Sequence, residues 1–417
     1  MSNGESIKTG NQRWSYREGT MVTAAILLLG FALQAASGGT VLRIAGFPWN
    51  MLSGLVFLVL LILVFVLWPK HSIIKGLGSV KAALPAILGF TFLVLLMGFV
   101  KQDVEPQNIL VKVFGLTHMV KTWPFMLINL YLMILLGIIT LKRLTPINFK
   151  NAGFFLNHFG LFLVLFSTTL GSSDMQRLTM NCYENQTESQ AVDPTGKIVE
   201  MPFSINLINF DIDEFRPKVA IVDNKSGQIV LSMGKAQLEM MDRDSFTISS
   251  YHIKVEQFLE SSGKAGDSFI GTNESGSAPS AKVTVTNPTD KSKISGWIFS
   301  GSYSHPPEMI QLNESFSLAM LPPEPRKFSS ELNIQTKTGK TIKKIIEVNS
   351  PYSIEGWTIY QTNYNTEMGR WSNLSVLELV RDPWLPLVYL GIFLMMAGAA
   401  FLFITGKPKN GGTEYVA

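Results

Sequence analysis

Six apolar segments are long enough to span a membrane, and their spacing along the chain constrains the fold more than any other feature. Five lie within residues 1–172 and one lies near the C-terminus, at residues 21–36, 51–68, 82–100, 123–141, 152–171 and 384–404. A helix rising about 1.5 Å per residue needs runs of this kind to cross roughly 30 Å of hydrocarbon. Residues 178–380 contain no such run. The pattern predicts a polytopic α-helical membrane protein with a large inserted domain.

The chain therefore divides into four predicted parts. Residues 1–172 form an N-terminal membrane domain, and residues 173–382 form an extracytoplasmic domain. Residues 383–405 form a C-terminal transmembrane helix, and residues 406–417 form a cytoplasmic tail. The hydrophobic content of 47% is thus an average over two unlike kinds of sequence.

The distribution of Lys and Arg predicts the orientation. They concentrate in the two tails and in the loops after the second and fourth helices, as Lys8, Arg13, Arg17, Lys70, Lys75, Lys81, Lys142, Arg143, Lys150, Lys407 and Lys409. Six crossings place all of these segments on one side, which the positive-inside rule makes cytoplasmic. We expect both termini in the cytoplasm and the large domain on the periplasmic or outer side of a bacterial cytoplasmic (inner) membrane. A plastid membrane is the alternative. The net charge of +4 reflects this bias and gives no indication of nucleic-acid binding.

The first apolar segment has a second interpretation. A basic start, a short apolar run and the small residues after Gln34 are also typical of a cleavable signal peptide. Removing this segment would leave the alternation of basic and non-basic loops intact. We favour an uncleaved first helix.

The inserted domain has the pattern of short β-strands. Apolar residues nearly alternate in residues 201–212, and similar stretches follow at residues 218–222, 228–233, 251–259, 282–286, 330–335, 341–348, 357–363 and 374–381. Clusters of Gly, Asn, Asp and Pro separate them. Such a series predicts an antiparallel sandwich or open barrel. We expect the Ser/Gly-rich residues 261–280 to form an excursion outside the strands.

The single cysteine excludes one class of function. With Cys182 alone, the chain forms no intrachain disulfide, and by itself it lacks the resolving thiol that a thiol–disulfide oxidoreductase requires. Cys182 is conceivable as a metal or haem-thiolate ligand. We favour a partly buried structural side chain.

Five segments are distinctive in their order, namely residues 120–127 (VKTWPFML), 156–162 (LNHFGLF), 202–207 (PFSINL), 356–364 (GWTIYQTNY) and 374–391 (LSVLELVRDPWLPLVYLG). Together they resemble the ResB (CcsB) proteins of the System II cytochrome c maturation pathway, and the resemblance covers roughly residues 121–406. The first three helices look like an addition, because the commoner ResB pattern has fewer spans before the domain.

The resemblance implies a function and its partners. Proteins of this kind pair with a CcsA (ResC)-type membrane protein, carry haem b across the membrane, and support its covalent attachment to apocytochrome c. The tryptophan-rich haem platform belongs to the partner, and the eight Trp residues here are scattered. A thioredoxin-like thiol reductant is a further candidate partner. The chain would be the non-catalytic or accessory half of a haem lyase (holocytochrome c synthetase), and we assign it no catalytic residue.

His158, in the second turn of the fifth helix, is the principal candidate site residue. An ionisable side chain at membrane depth is costly and suggests function. By the resemblance, His158 supplies one axial ligand to a haem iron held in the membrane, and the partner supplies the other. A neutral imidazole suits that role. Gly153 and Gly160 on the same helix would let a porphyrin or a neighbouring helix approach closely. The alternative is a histidine that only hydrogen-bonds to a backbone carbonyl or to a Ser or Thr on the next helix.

The other histidines are weaker candidates. His118, in the loop before the fourth helix, is positioned to approach haem delivered at the outer face, although an ordinary interfacial residue is the favoured interpretation. His71 is interpreted as part of the basic interfacial loop, and His252 and His305 receive no role.

A second function remains open, that of a haem-free, membrane-anchored β-domain scaffold or sensor for envelope protein assembly. Hydrolase functions lack support, because the sequence contains no Gly-x-Ser-x-Gly, His-Glu-x-x-His or phosphate-loop motif.

Overall fold

The computed structural model describes residues 14–144, 149–232, 235–236, 239–240, 245–249, 251–287 and 289–405. The predicted tail at 406–417, the basic residues Lys8 and Arg13, and part of the strand predicted at 228–233 lie outside the described residues. The chain forms two compact units. The membrane unit contains the helices before and after the inserted domain, and the β unit is Arg177–Arg381.

All regular secondary structure in the described part of the membrane unit is helical. Its helices are α1 (Tyr16–Ala36), α2 (Trp49–Leu67), α3 (Ser72–Leu77), α4 (Val80–Phe99), α5 (Ile109–Val113), α6 (Trp123–Leu144), α7 (Ala152–Gly171) and α8 (Leu385–Thr405), with 3₁₀ turns at Leu116–Lys121 and Phe149–Asn151. Six of these helices are long and apolar enough to cross a membrane, namely α1, α2, α4, α6, α7 and α8. The predicted number and order of spans are confirmed.

Helix α1 begins five residues before the predicted start at residue 21 because of a capping box. The backbone N–H of Ser15 donates to Oε2 of Glu18 at 2.7 Å, and the Ser15 hydroxyl donates to the same oxygen. This pairing satisfies groups that the first helical turn would otherwise leave exposed. Hydropathy alone does not predict this earlier start of the helix.

Gln34, the polar residue within α1, is fully buried and hydrogen-bonded. Its side-chain oxygen accepts from the N–H of Trp123 at 3.1 Å, and its amide nitrogen donates to the carbonyl of Thr40 at 3.2 Å. A buried amide with partners at both ends is tolerated within an apolar helix. Gln34 thereby links α1 to the start of α6.

Helices α7 and α8 pack through glycines. A Cβ added to Gly160 would lie 2.5 Å from the carbonyl oxygen of Gly391, and one added to Gly391 would lie 2.7 Å from that of Gly160. Gly398 lies as close to the backbone of Gly153 and Asn157. Close approach of backbones at small residues is a common basis of helix association in membranes. The glycines of α7 therefore admit a neighbouring helix.

The β unit contains nineteen described strands. They are β1 (Gln176–Tyr183), β2 (Thr187–Val192), β3 (Ile198–Glu214), β4 (Lys218–Asp223), β5 (Leu231–Ser232), β6 (Lys235–Ala236), β7 (Glu239–Met240), β8 (Ser245–Ile248), β9 (Tyr251–Ala265), β10 (Ser268–Gly271), β11 (Ala278–Thr286), β12 (Lys293–Phe299), β13 (Met309–Gln311), β14 (Phe316–Met320), β15 (Pro325–Thr336), β16 (Thr341–Glu347), β17 (Tyr352–Ile354), β18 (Trp357–Tyr364) and β19 (Leu374–Arg381). The strand pairs whose register is described are antiparallel.

One strongly curved sheet encloses the first core of the β unit. Its strand order is β16-β15-β3-β2-β1-β19-β18-β17. Ser330 on β15 nevertheless hydrogen-bonds to Gln361 on β18 and Ser375 on β19, strands that lie far along that order. The sheet must therefore curl until its two ends face each other across the core. This arrangement corresponds to the open-barrel form of the prediction.

Strands β4 to β14 form a second lobe inserted between β3 and β15. A sheet of order β10-β9-β11-β12, with β8 on β9, and a sheet of order β13-β14-β4-β7 enclose a separate apolar core. The expectation that residues 261–280 form an excursion is wrong. They contain the end of β9, all of β10 and the start of β11, because Ser262 pairs in register with both Gly271 and Ala278.

Candidate functional site

His158 has one ring nitrogen engaged and the other free. Nδ1 lies 3.0 Å from the carbonyl oxygen of Phe154, one turn earlier on α7. A carbonyl oxygen only accepts, so Nδ1 carries the hydrogen and Nε2 holds the lone pair. Among the described residues, Nε2 has no hydrogen-bond partner. A ligating histidine is usually oriented in this way, by donating its other ring N–H to a carbonyl, carboxylate or water.

The imidazole is also held by an aromatic contact. The rings of Phe154 and His158 are stacked, with centroids 3.8 Å apart and an interplanar angle of 13°. Phe154 in turn lies beneath the guanidinium of Arg143 at the end of α6, with Cζ 4.7 Å from the ring centroid. Arg143, Phe154 and His158 thus form a connected cluster near the N-terminal end of α7. We refer to these three residues as the α6–α7 cluster.

This cluster fits a haem only in part. An imidazole with an unpartnered Nε2 suits one axial position on the iron. No group of three or more His, Cys, Asp or Glu side chains within the described residues could hold a metal ion. The described part of the chain thus offers one oriented imidazole at this point.

His118 lies far from His158. It sits in the 3₁₀ turn before α6, with Nδ1 3.3 Å from Oδ1 of Asp103. His158 follows α6, whose 22 residues span roughly 33 Å. The two histidines therefore lie near opposite ends of the helices. His71 is likewise engaged locally, because Nδ1 accepts from the N–H of Ile73 at the start of α3.

Cys182 is fully buried in the core of the curved sheet. Burial raises the pKa of its thiol to about 12, and the nearby carboxylate of Glu188 acts in the same direction. The thiolate, which is the form that binds metals, is therefore scarcely populated at neutral pH. This position favours the structural interpretation over a metal or haem-thiolate ligand.

Asp174, just after α7, is a polar junction that the sequence does not reveal. Its carboxylate accepts from Nδ2 of Asn50 at 2.6 Å, from Nε1 of Trp384 at 2.7 Å and from the N–H of Phe47 at 2.8 Å. Desolvation raises the pKa of this carboxyl, but the three hydrogen bonds outweigh it and hold the pKa below its ordinary value. Asp174 thus fastens α2 and the start of α8 to the end of α7.

The β unit contains a cavity of about 680 Å³ between its two lobes. Its lining includes Pro322, Tyr364 and Trp371, together with a Glu214–Arg370 ion pair whose closest atoms are 4.0 Å apart. Burial raises the pKa of Glu214, and Arg370 opposes that effect. Arg370 also donates to Ser261. The cavity wall therefore carries one partly buried pair of opposite charges.

Comparison with known families bears on the second half of the β unit. Residues 280–372 match the model of the ResB-like family. The predicted resemblance is confirmed over this stretch. No curated protein matches the chain.

The ResB-like stretch contains the GWTIYQTNY segment at 356–364 and most of the cavity wall. It does not contain His158 or the other segments on which the resemblance was based. The match supports involvement in cytochrome c biogenesis in the broad sense.

Sequence reasoning identified His158 but missed its neighbours. The sequence pattern assigned Arg143 only to the basic loop. Phe154 lies four residues before His158, and residues at this spacing are neighbours on a helix, so the sequence did contain a signal for that contact. Nothing in the sequence indicated that Arg143 reaches the same ring.

Proposed function

We propose that this chain is the ResB-like subunit of a System II cytochrome c synthetase. It takes haem b across the bacterial cytoplasmic membrane and supports its covalent attachment to apocytochrome c. A separate CcsA (ResC)-type membrane protein acts with it and contributes the tryptophan-rich haem platform. A thioredoxin-like reductant supplies the reduced cysteines of the apocytochrome.

The observation that carries this proposal is the free Nε2 of His158. His158 is half-buried and its Nε2 is not among the fully buried polar atoms, so this nitrogen is open to a ligand. Here a transmembrane helix fixes the tautomer and leaves the ligating nitrogen without a partner. Haem is the cargo, His158 holds its iron from one side, and the partner holds it from the other.

The orientation is part of the proposal. Lys70, Lys75, Lys142 and Arg143 lie at the end of the helices that also carries His158. This end faces the cytoplasm by the positive-inside rule, so that both termini are cytoplasmic and the β unit is periplasmic. His158 then lies where haem entering from the cytoplasm first meets the membrane.

The test is the reduced absorption spectrum of the chain purified with its CcsA-type partner. We expect a b-type haem spectrum in the wild type and its loss in His158→Ala at equal protein yield. His71→Ala is the matched control, since it removes an exposed histidine near the same end of the helices and should leave the spectrum unchanged. Added imidazole should restore part of the spectrum in His158→Gly by occupying the vacated position.

Two results would overturn the proposal. Equal haem in wild type and His158→Ala would place both ligands in the partner. Absence of haem from all preparations, together with normal association with the partner, would favour the haem-free scaffold.

A further inference from the structure

The guanidinium of Arg143 makes its contact with the protein through its planar face. It lies over the ring of Phe154 with Cζ 4.7 Å from the centroid, a cation–π contact. A guanidinium that stacks by its face keeps its N–H donors along the edge, in the fork that matches a carboxylate. Among the described residues, no ion pair or hydrogen bond engages that edge.

The surrounding sequence offers almost no acidic partner. At this end of the helices, Glu18 is the only acidic residue within the described part of the chain, and it accepts from the backbone and hydroxyl of Ser15. The exposed Arg143 therefore has no countercharge among the described residues at the boundary of the apolar helices. Such a group gains most from an anion that arrives with a ligand.

Phe154 connects this cation to the candidate iron ligand. Its ring contacts the guanidinium and also stacks on the imidazole of His158 at 3.8 Å, while its carbonyl fixes the imidazole tautomer. One residue thus sets the separation between a free metal-ligating nitrogen and a free carboxylate-binding fork. Because the guanidinium carbon lies 4.7 Å and the imidazole centroid 3.8 Å from the centroid of the Phe154 ring, a single porphyrin could reach both groups. A metalloporphyrin with ionised side-chain carboxylates presents that combination of groups.

We propose that Arg143 is a positioning residue that binds a propionate carboxylate of the haem whose iron is held by His158. The inference rests on the proposed function and deepens it. It assigns the α6–α7 cluster a selectivity for porphyrins with free carboxylates over esterified porphyrins. The other anion available at this depth is a lipid phosphate, which would engage the same fork without reference to the porphyrin.

The experiment compares two probes on the purified complex with the CcsA-type partner. One is haem b and the other is its dimethyl ester, in which both propionates are uncharged. For each, the rate of transfer to an apo-haem acceptor is followed by absorption. We expect the wild type to release the ester roughly tenfold faster than haem b, because a charge-assisted hydrogen-bond pair is lost.

The variants separate the possible outcomes. Arg143→Gln should release haem b about as fast as the wild type releases the ester, and should no longer distinguish the two probes. Arg143→Lys, which keeps the charge but loses the planar fork, should fall between them. Lys142→Gln is the matched control, since it removes the adjacent positive charge from the same helical turn and should preserve the wild-type discrimination.

Failure of this inference is distinguishable from failure of the proposed function. If His158→Ala loses haem while Arg143→Gln still discriminates between the two probes as the wild type does, His158 stands and the role of Arg143 is refuted. The fork then serves a lipid phosphate. If His158→Ala retains haem, the proposed function fails, and the inference fails with it.

Discussion

In the β unit the polar groups at the centre of the curved sheet hydrogen-bond to one another, whereas in the membrane unit several buried polar atoms have no hydrogen-bond partner among the described residues. Ser330 and Ser375 both donate to Oε1 of Gln361, whose amide nitrogen donates to Asn363. Among the described residues, the buried side-chain atoms without a partner are all on α1, α6 and α7, namely Thr23 Oγ1, Asn129 Oδ1, Tyr131 OH, Thr140 Oγ1 and Ser167 Oγ.

The difference reflects how each unit gains its cohesion. A helix satisfies its backbone internally, so neighbouring helices can associate through backbone contact at glycines without pairing every side chain. The curved sheet closes around a filled core, where an unpaired polar group would remain desolvated and costly. Unpartnered polar atoms in the membrane unit therefore identify candidate positions for water, a partner or a ligand. The half-buried His158 is a separate case, because its free Nε2 is not one of these fully buried atoms.

The largest loss of stability is expected where α7 and α8 of the membrane unit contact each other through their backbones. In Gly160→Val, the new side chain meets the carbonyl oxygen of Gly391 and the backbone nitrogen of Met395, which cannot move aside as a flexible side chain could. We expect a loss of about 3 kcal/mol or more, measured as the thermal midpoint in detergent. Gly98→Ala is the control, since no atom lies within 4 Å of its added Cβ. An unchanged midpoint for Gly160→Val would show that α7 and α8 are not in contact.

A smaller loss of stability is expected from breaking the hydrogen bonds among Ser330, Gln361 and Ser375 in the β unit. Gln361→Leu removes the acceptor shared by the Ser330 and Ser375 hydroxyls, and we expect about 2 kcal/mol of destabilisation. Cys182 lies in the same core, fully buried, so its maleimide labelling rate reports opening of that core in the full chain. Labelling should accelerate in Gln361→Leu and remain at the wild-type rate in Ser353→Ala, which alters an exposed hydroxyl. Equal rates in all three would mean that the network adds nothing to the core.

The smallest effect on stability is expected from removing a buried hydroxyl of the membrane unit that has no partner among the described residues. Thr23→Val replaces a buried hydroxyl that has no partner with a methyl group of similar size. We expect no loss of stability and a gain of up to about 1 kcal/mol. The same substitution at Thr169 should instead be destabilising, because that hydroxyl accepts from Asn129 and donates to Leu165. If Thr23→Val were as harmful as Thr169→Val, the Thr23 hydroxyl would have a hidden partner such as water.

Local sequence predicted the elements better than their arrangement. The bounds predicted for the fifth helix, 152–171, agree with α7, and the strand predicted at 374–381 agrees with β19. The Ser/Gly-rich residues 261–280 were misassigned because Ser262 and its neighbours are held by strand partners on both sides. Polar composition at the sequence level does not reveal pairing of that kind.

In the candidate site, too, the sequence predicted local features but not the contacts between helices. His158 was identifiable because one imidazole in an apolar run is conspicuous by itself. The stacking of Phe154 on His158 follows from their spacing on one helix. The contact of Arg143 with Phe154 depends on how α6 and α7 cross, and no local pattern encodes that crossing.

The sequence by itself determined six apolar spans, an inserted β domain, a lone cysteine and a histidine at membrane depth, because hydropathy and strand periodicity are properties of short stretches. Tertiary structure alone decided that glycines far apart in the chain join α7 to α8, and that β4 to β14 form a lobe between β3 and β15. It also decided that an arginine, a phenylalanine and a histidine meet at one point. These features depend on contacts between distant segments, and such contacts form only when the elements pack.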